Sequence, residues 1–227
     1  MLSQRYKYTM LLSSLPVQPL QLFSASQTSI SRLQLDQRLA LLDVQDSEDL
    51  KRIEELLHWS QIKNATDEFI VKKSLEVVAA INNPFLKKIL TWRLEFRTLL
   101  AALRMRQAGV KQPARHGFHG IGRWLEHIEQ NWQKNDFGLG LQVPWIVPAE
   151  QLLSQNKTYE LEKLLLATIW QYYARECNSH YFDFPAVVIY VLRWDISYRW
   201  TLYHTEKATQ RFDELVNAGI GNALPGF

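Results

Sequence analysis

The sequence predicts an all-α fold. Glycine and proline are scarce, 9 and 8 in 227 residues, and they fall where helices should start or stop. Between them, apolar residues recur at spacings of three and four, the period of a helix stripe. With 47 % hydrophobic and 12 % aromatic residues, the chain has material for one sizeable core or two small ones. The architecture expected is an elongated bundle of helices with at most a short extended N-terminal segment.

The elements follow in order. Tyr6 to Leu15 reads as an extended opening. Ser31 to Leu42 is a first amphipathic segment, with Leu33, Leu35, Leu39 and Leu42 as candidates for burial. Asp46 is placed as the cap of a second helix, whose stripe is Leu50, Ile53, Leu56 and Leu57. Thr66, followed by Asp67 and Glu68, opens a third helix that runs through Ile81. The clearest helix has Asn83 at its N-cap, Pro84 at N1 and Gly109 just past its end. Its length, about 25 residues, makes it a scaffold element. Val110 to Phe118 reads as a loop, Arg123 to Lys134 as another helix, and "NDFGLGLQVPWIVP" as an irregular connection. Helix resumes from Ala149 through "LEKLLLATIWQYYAREC". A last helix starts from Asp183 as N-cap, with Pro185 near N1, and runs to about His204.

Charge and cysteine content narrow the class. The 26 basic against 23 acidic residues leave a net charge of +3, too near balance to demand nucleic acid. The single cysteine, Cys177, excludes an internal disulfide, fits a reducing compartment and reads as a small buried side chain. The N-terminal apolar run, Met10 to Leu15, is broken by Pro16 and Pro19 and is short for a secretory signal. Arg193 and Asp195 interrupt the best candidate for a membrane span, so no spanning helix is expected.

No motif carries catalytic meaning, so catalytic, cofactor-binding and metal-ligating residues are not assigned. There is no GxxxxGK[ST] loop, and the glycines of "GFHGIG" are in the wrong order for a dinucleotide fingerprint. Glu55 and His58 form a single ExxH, whereas a di-metal bundle site needs two and further carboxylates. His116, His119 and His127 near Glu126 and Glu129 read as a surface cluster without ligand spacing. Arg93, Arg97 and Arg104 fall on one side of the long helix, with Arg106 close beyond, and are interface candidates. Asp195 and Arg199, four apart with the acid first, are expected to form a partly buried ion pair that sets how their helix sits.

An internal match bears on domain organisation. "LTWRLEFR" (90–97) lies over "LRWDISYR" (192–199), pairing Leu90 with Leu192, Trp92 with Trp194 and Arg97 with Arg199 at an offset of 102. A duplication would divide the chain into helical lobes 1–110 and 111–227; without it the helices form one continuous domain.

Four stretches together carry a resemblance: "YKYTMLLSSLP", "NPFLKKILTWRLEFRTLLAALR", "HIEQNWQKNDFGL" and "HYFDFPAVVIYVLRWDISYRW". They look like a bacterial family encoded among the subunits of V/A-type ATPases, similar in role to the C subunit, counterpart of the eukaryotic d subunit. The resemblance implies a non-enzymatic chain of repeated helical lobes, about one lobe shorter than that subunit, without a cofactor of its own. It implies coupling of the central stalk to the proteolipid ring during ion transport, at the cytoplasmic side of the inner membrane, with membrane contact through partner subunits only. A stiff core around Trp92, Trp124, Trp194 and Trp200 would suit transmission of torque. The residues leave two other classes open. One is a helical nucleic-acid-binding protein using the same arginines; the other is an enzyme with a pocket near residues 116–145.

Overall fold

The computed structural model describes residues 6–24, 28–57, 67–113 and 118–202. Among them there is no strand, and the fold is all-α. The α-helices are α1 (Thr9–Ser14), α2 (Arg32–Leu39), α3 (Val44–Leu57), α4 (Asp67–Ala80) and α5 (Pro84–Gln107). They continue with α6 (Leu125–Gln130), α7 (Ile146–Ser154), α8 (Thr158–Glu176) and α9, helical over 184–202. The chain forms two compact units, Leu42–Arg175 and a discontinuous one that joins Met1–Leu41 to Glu176–Phe227. These units do not follow the 110/111 division read from the internal match.

The helix boundaries follow local chemistry. Asn83 caps α5, its Oδ1 accepting from the N–H groups of Phe85 (3.0 Å) and Leu86 (3.2 Å), and Pro84 sits where a missing N–H costs nothing. At the other end Gly109 takes a left-handed φ of +78°. The N–H groups of Gly109 and Val110 then donate to the carbonyls of Arg106 and Met105, closing a Schellman turn. Asn156 (φ +56°) ends α7 in the same way, with bonds to Leu153 and Leu152. Asp183 caps α9, its Oδ1 accepting from Ala186 N at 3.1 Å, while its Oδ2 lies 2.5 Å from His180 Nδ1.

Several expectations are corrected. Thr9–Ser14 is a helix, not an extended strand. Asp43 rather than Asp46 caps α3, since Asp46 N donates to Asp43 Oδ1 at 2.8 Å. Leu33 is 70 % exposed, whereas Leu35, Leu39 and Leu42 are buried. The helix expected over Arg123 to Lys134 shrinks to Leu125–Gln130 and continues as turns, and the helix expected from Ala149 begins at Ile146. Trp194 and Trp200 are buried, but Trp92 and Trp124 are only half-buried. Thr66, His58, His116 and the end of the last helix at His204 lie outside the described residues.

In the discontinuous unit, α9 is the core element. Val187, Val188, Ile189, Val191 and Leu192 are almost wholly shielded from water, each contributing about 1.5–3 kcal/mol of hydrophobic stabilisation. The polar side chains of α9 serve the irregular segment that precedes α2, whose carbonyls have no helical partner. Tyr190 Oη donates to Pro16 O at 2.9 Å, Arg193 Nη2 to Pro19 O at 3.4 Å, and Trp194 Nε1 to Ile30 O at 2.7 Å. In return Gln18 Nε2 donates to Tyr190 O at 2.8 Å. Arg193, a charge in an otherwise apolar helix, thus binds backbone.

Asp195 is half-buried, and the structure brings Arg32 of α2 to it, with Nη1 3.9 Å from Oδ1. The guanidinium of Arg32 also stands 5.8 Å from the centre of the Trp194 ring. Arg199, the partner expected from spacing, is exposed.

Replacing Trp194 by Phe keeps most of the ring packing but strands the buried Ile30 carbonyl. Urea denaturation followed by circular dichroism is expected to show a loss of about 1–3 kcal/mol.

Candidate functional site

The continuous unit is organised on α5, against which α4 and α7 pack. Leu86, Ile89, Leu90, Leu94, Leu99 and Leu103 bury one side of α5. Trp92 and Phe96 lie among these residues around the helix, between Leu99 and Ile89. Trp92 lies flat on Tyr172 of α8, with centroids 3.5 Å apart and planes within 8°, and Phe96 meets Trp145 at 4.3 Å.

The segment 118–124 lies directly on α5 because two of its residues have no side chain. A Cβ on Gly120 would stand 2.5 Å from Thr98 Cγ2, and one on Gly122 (φ +116°) would overlap Glu95 Cγ. Two hydrogen bonds hold the contact, Ile121 N to Thr98 Oγ1 at 2.9 Å and Arg123 N to Glu95 Oε1 at 3.1 Å. Gly120 and Gly122 therefore permit close packing on a helix.

Between these elements opens a cleft of about 580 Å³ lined by residues from α5, α8 and the segments around Arg123 and Trp145. Phe96 and Tyr172 are buried at its base; Trp92, Trp124 and Trp145 are half-buried; Arg123, Gln142 and Arg175 are exposed. The two arginines lie over rings, Arg123 4.6 Å from the centre of Trp124 and Arg175 5.4 Å from that of Tyr172. The carboxylate of the lining is Glu95, whose side chain is 12 % exposed and whose Oε2 lies 3.9 Å from Arg123 Nε. Its Oε1 also accepts the backbone N–H of Arg123, and the other charged lining groups are the two arginines.

The expected arginine stripe divides. Arg97 is half-buried and donates to the last carbonyls of α3, to Leu56 O at 3.1 Å through Nη1 and to Leu57 O through Nη2. A cation there complements the negative end of the helix. Arg93 is half-buried with its guanidinium 5.5 Å from the Phe96 ring centre, and Arg104 is exposed. Arg106 ties down the following loop, donating to Lys134 O and, at 2.9 Å, to Asn135 Oδ1, with Glu150 at 3.5 Å.

Of the histidines expected to cluster, His119 and His127 are among the described residues. His119 is exposed, and His127 meets Trp124 edge-on at 6.2 Å. Among the described residues no three His, Cys, Asp or Glu side chains could hold a metal ion. In the discontinuous unit Cys177 is half-buried, and burial pushes its thiol up, which does not favour a reactive thiolate. No helix among the described residues is long and apolar enough to cross a membrane.

A family model described as a protein of unknown function, DUF2764, matches residues 51–219. The chain belongs to that family. The match takes in the cleft, both long helices and three of the four stretches on which the resemblance rests. No curated protein and no solved structure gives a significant match.

Sequence reasoning pointed to the region 116–145 as a pocket but missed Trp92, Phe96 and Tyr172 as its aromatic walls. A half-period clue was present, in that Trp92 and Phe96 stand four apart on one helix face.

Two predictions follow from this geometry. Arg97→Met is expected to cost about 1.5–3 kcal/mol, the range for hydrogen bonds to a charged group. Arg104→Met should stay within about 0.5 kcal/mol, both read from thermal and urea unfolding. The second concerns Asp136, which accepts from Gly138 N at 2.8 Å and Gly140 N at 3.1 Å, so that its carboxyl titrates below the ordinary 3.8. A lowered folded-state value stabilises above the unfolded value and is lost as pH falls through the folded one. Asp136→Asn should therefore be less stable than the parent at neutral pH, with the gap narrowing below about pH 4.

Proposed function

We propose that this chain is a non-catalytic helical adapter of a V/A-type rotary ATPase, coupling the central stalk to the membrane rotor ring during ion transport. The resemblance of the four sequence stretches supports the complex. The observation that carries the adapter role is the construction of two long helices that carry stretches of the resemblance. Both α5 and α9 are capped by a side chain, flanked by proline at the first turn and buried along an aliphatic stripe. Side chains from each also bind the backbone of other segments of the same unit. Close-packed elements clamped in this way deform little under load. Partners on this reading are the stalk and proteolipid subunits, with Arg93 and exposed Arg104 on the helix face that meets acidic surfaces, and the chain sits at the cytoplasmic side of the inner membrane without spanning it.

Affinity purification of the tagged chain from its native cells in mild detergent, followed by mass spectrometry, tests the proposal. Recovery of the catalytic head, stalk and proteolipid subunits is expected. Recovery of the chain alone, or with nucleic acid released by salt, overturns it. Reversal of charge at Arg93 and Arg104 should lower that recovery, and unchanged assembly would remove these two residues from the interface.

A further inference from the structure

We propose that the aromatic cleft of the continuous unit is the seat for an apolar side chain of a partner protein that is flanked by a carboxylate. The identity of the partner rests on the adapter reading; the chemistry of the seat rests on the cleft.

Residue types come first. Protein interfaces concentrate their binding energy on tryptophan, tyrosine and arginine, and this cleft presents Trp92, Trp124, Trp145, Tyr172, Arg123 and Arg175 together. Three of the rings are half-exposed, although each has apolar surface enough to be covered. They are held ready by the parallel Trp92–Tyr172 stack and by the glycine-mediated seating of 118–124 on α5. Little ordering is then required when an occupant arrives.

Charge selects the flank. The exposed charged groups among the lining residues are Arg123 and Arg175, both positive, while Glu95 is turned inward and accepts the Arg123 N–H. A guanidinium lying over a ring still directs N–H groups outward in its own plane, a geometry that suits a carboxylate. A basic flank would be repelled. A purely apolar one would leave the arginines without a new partner.

The test uses the full chain in its native cells. Gln142, exposed at the cleft, is replaced by the photo-crosslinking residue benzoylphenylalanine, and exposed Lys73 on α4 serves as the control position. Crosslinked peptides are identified by mass spectrometry. The expected result is a crosslink from position 142 to a segment with Asp or Glu beside an apolar residue. Its yield should fall at least tenfold in the Arg123→Glu, Arg175→Glu double variant. Both arginines are exposed, so the melting curve should be retained; if it is not, Arg175→Gln alone is read.

No crosslink above the Lys73 control, a crosslink to a basic segment or to nucleic acid, or a yield indifferent to charge reversal overturns the seat. The adapter reading fails separately. An acidic segment from a protein outside the rotary ATPase keeps the seat and sinks the adapter, whereas co-purification of the ATPase without a crosslink at 142 does the reverse.

Discussion

Backbone carbonyls that no helix uses must find donors, and that requirement shapes both units. Helix ends and irregular segments leave such groups behind, and burying one unpaired costs about as much as a point mutation can destabilise. Here the donors are side chains, most of them on α5 and α9. Arg38 reaches Ser14 O at 3.0 Å, closing the end of α1, and Tyr190, Arg193 and Trp194 attend to the segment before α2. In the continuous unit Arg97 closes α3, Arg106 holds the loop at Lys134, and Trp132 Nε1 donates to Val110 O at 3.3 Å. Arginine and tryptophan are used in this chain as much for backbone as for surface or core.

That usage marks the limit of reading from sequence. Helix starts and stops were legible because they are local: Asn83, Pro84, Gly109 and Asp183 each act on groups within a few residues. Aliphatic burial on α3 was legible from the helical period, at Leu50, Ile53 and Leu56. The job of Arg97 was not, because its partners lie 40 and 41 residues away in another helix. The approach of Arg32 to Asp195 was not legible either, since the two lie on helices far apart in sequence. Leu33 shows the converse, an apolar residue at a plausible stripe position that nothing covers. Taking Asp46 instead of Asp43 as the cap is a local misreading, since both sites offer a carboxylate before an apolar stripe.

The matched motifs at 90–97 and 192–199 show how one pattern supports different surroundings. Leu90 and Leu192 are buried, as are Leu94 and Ile196. The aromatic positions diverge. Trp92 is half-exposed and stacks across to α8, whereas Trp194 is buried and stacks on Tyr198 of its own helix, at 5.0 Å and 11°. Phe96 is buried while Tyr198 is 43 % exposed. The aliphatic half of the pattern sets helix packing in each unit, and the aromatic half is free to build a cleft in one and a core in the other.

The discontinuous unit has a kinetic consequence. Its defining hydrogen bonds join residues 164 to 174 positions apart, whereas Arg97 reaches back only 41. Closing the longer loop costs about 1 kcal/mol more in chain entropy. During synthesis, residues 42–175 emerge before α9, and the opening segment must wait for α9 to leave the ribosome before these bonds can form. Until then its apolar side chains, Leu11, Leu22 and Ile30 among them, remain uncovered, so the last helix to be made governs when the first residues become safe from aggregation.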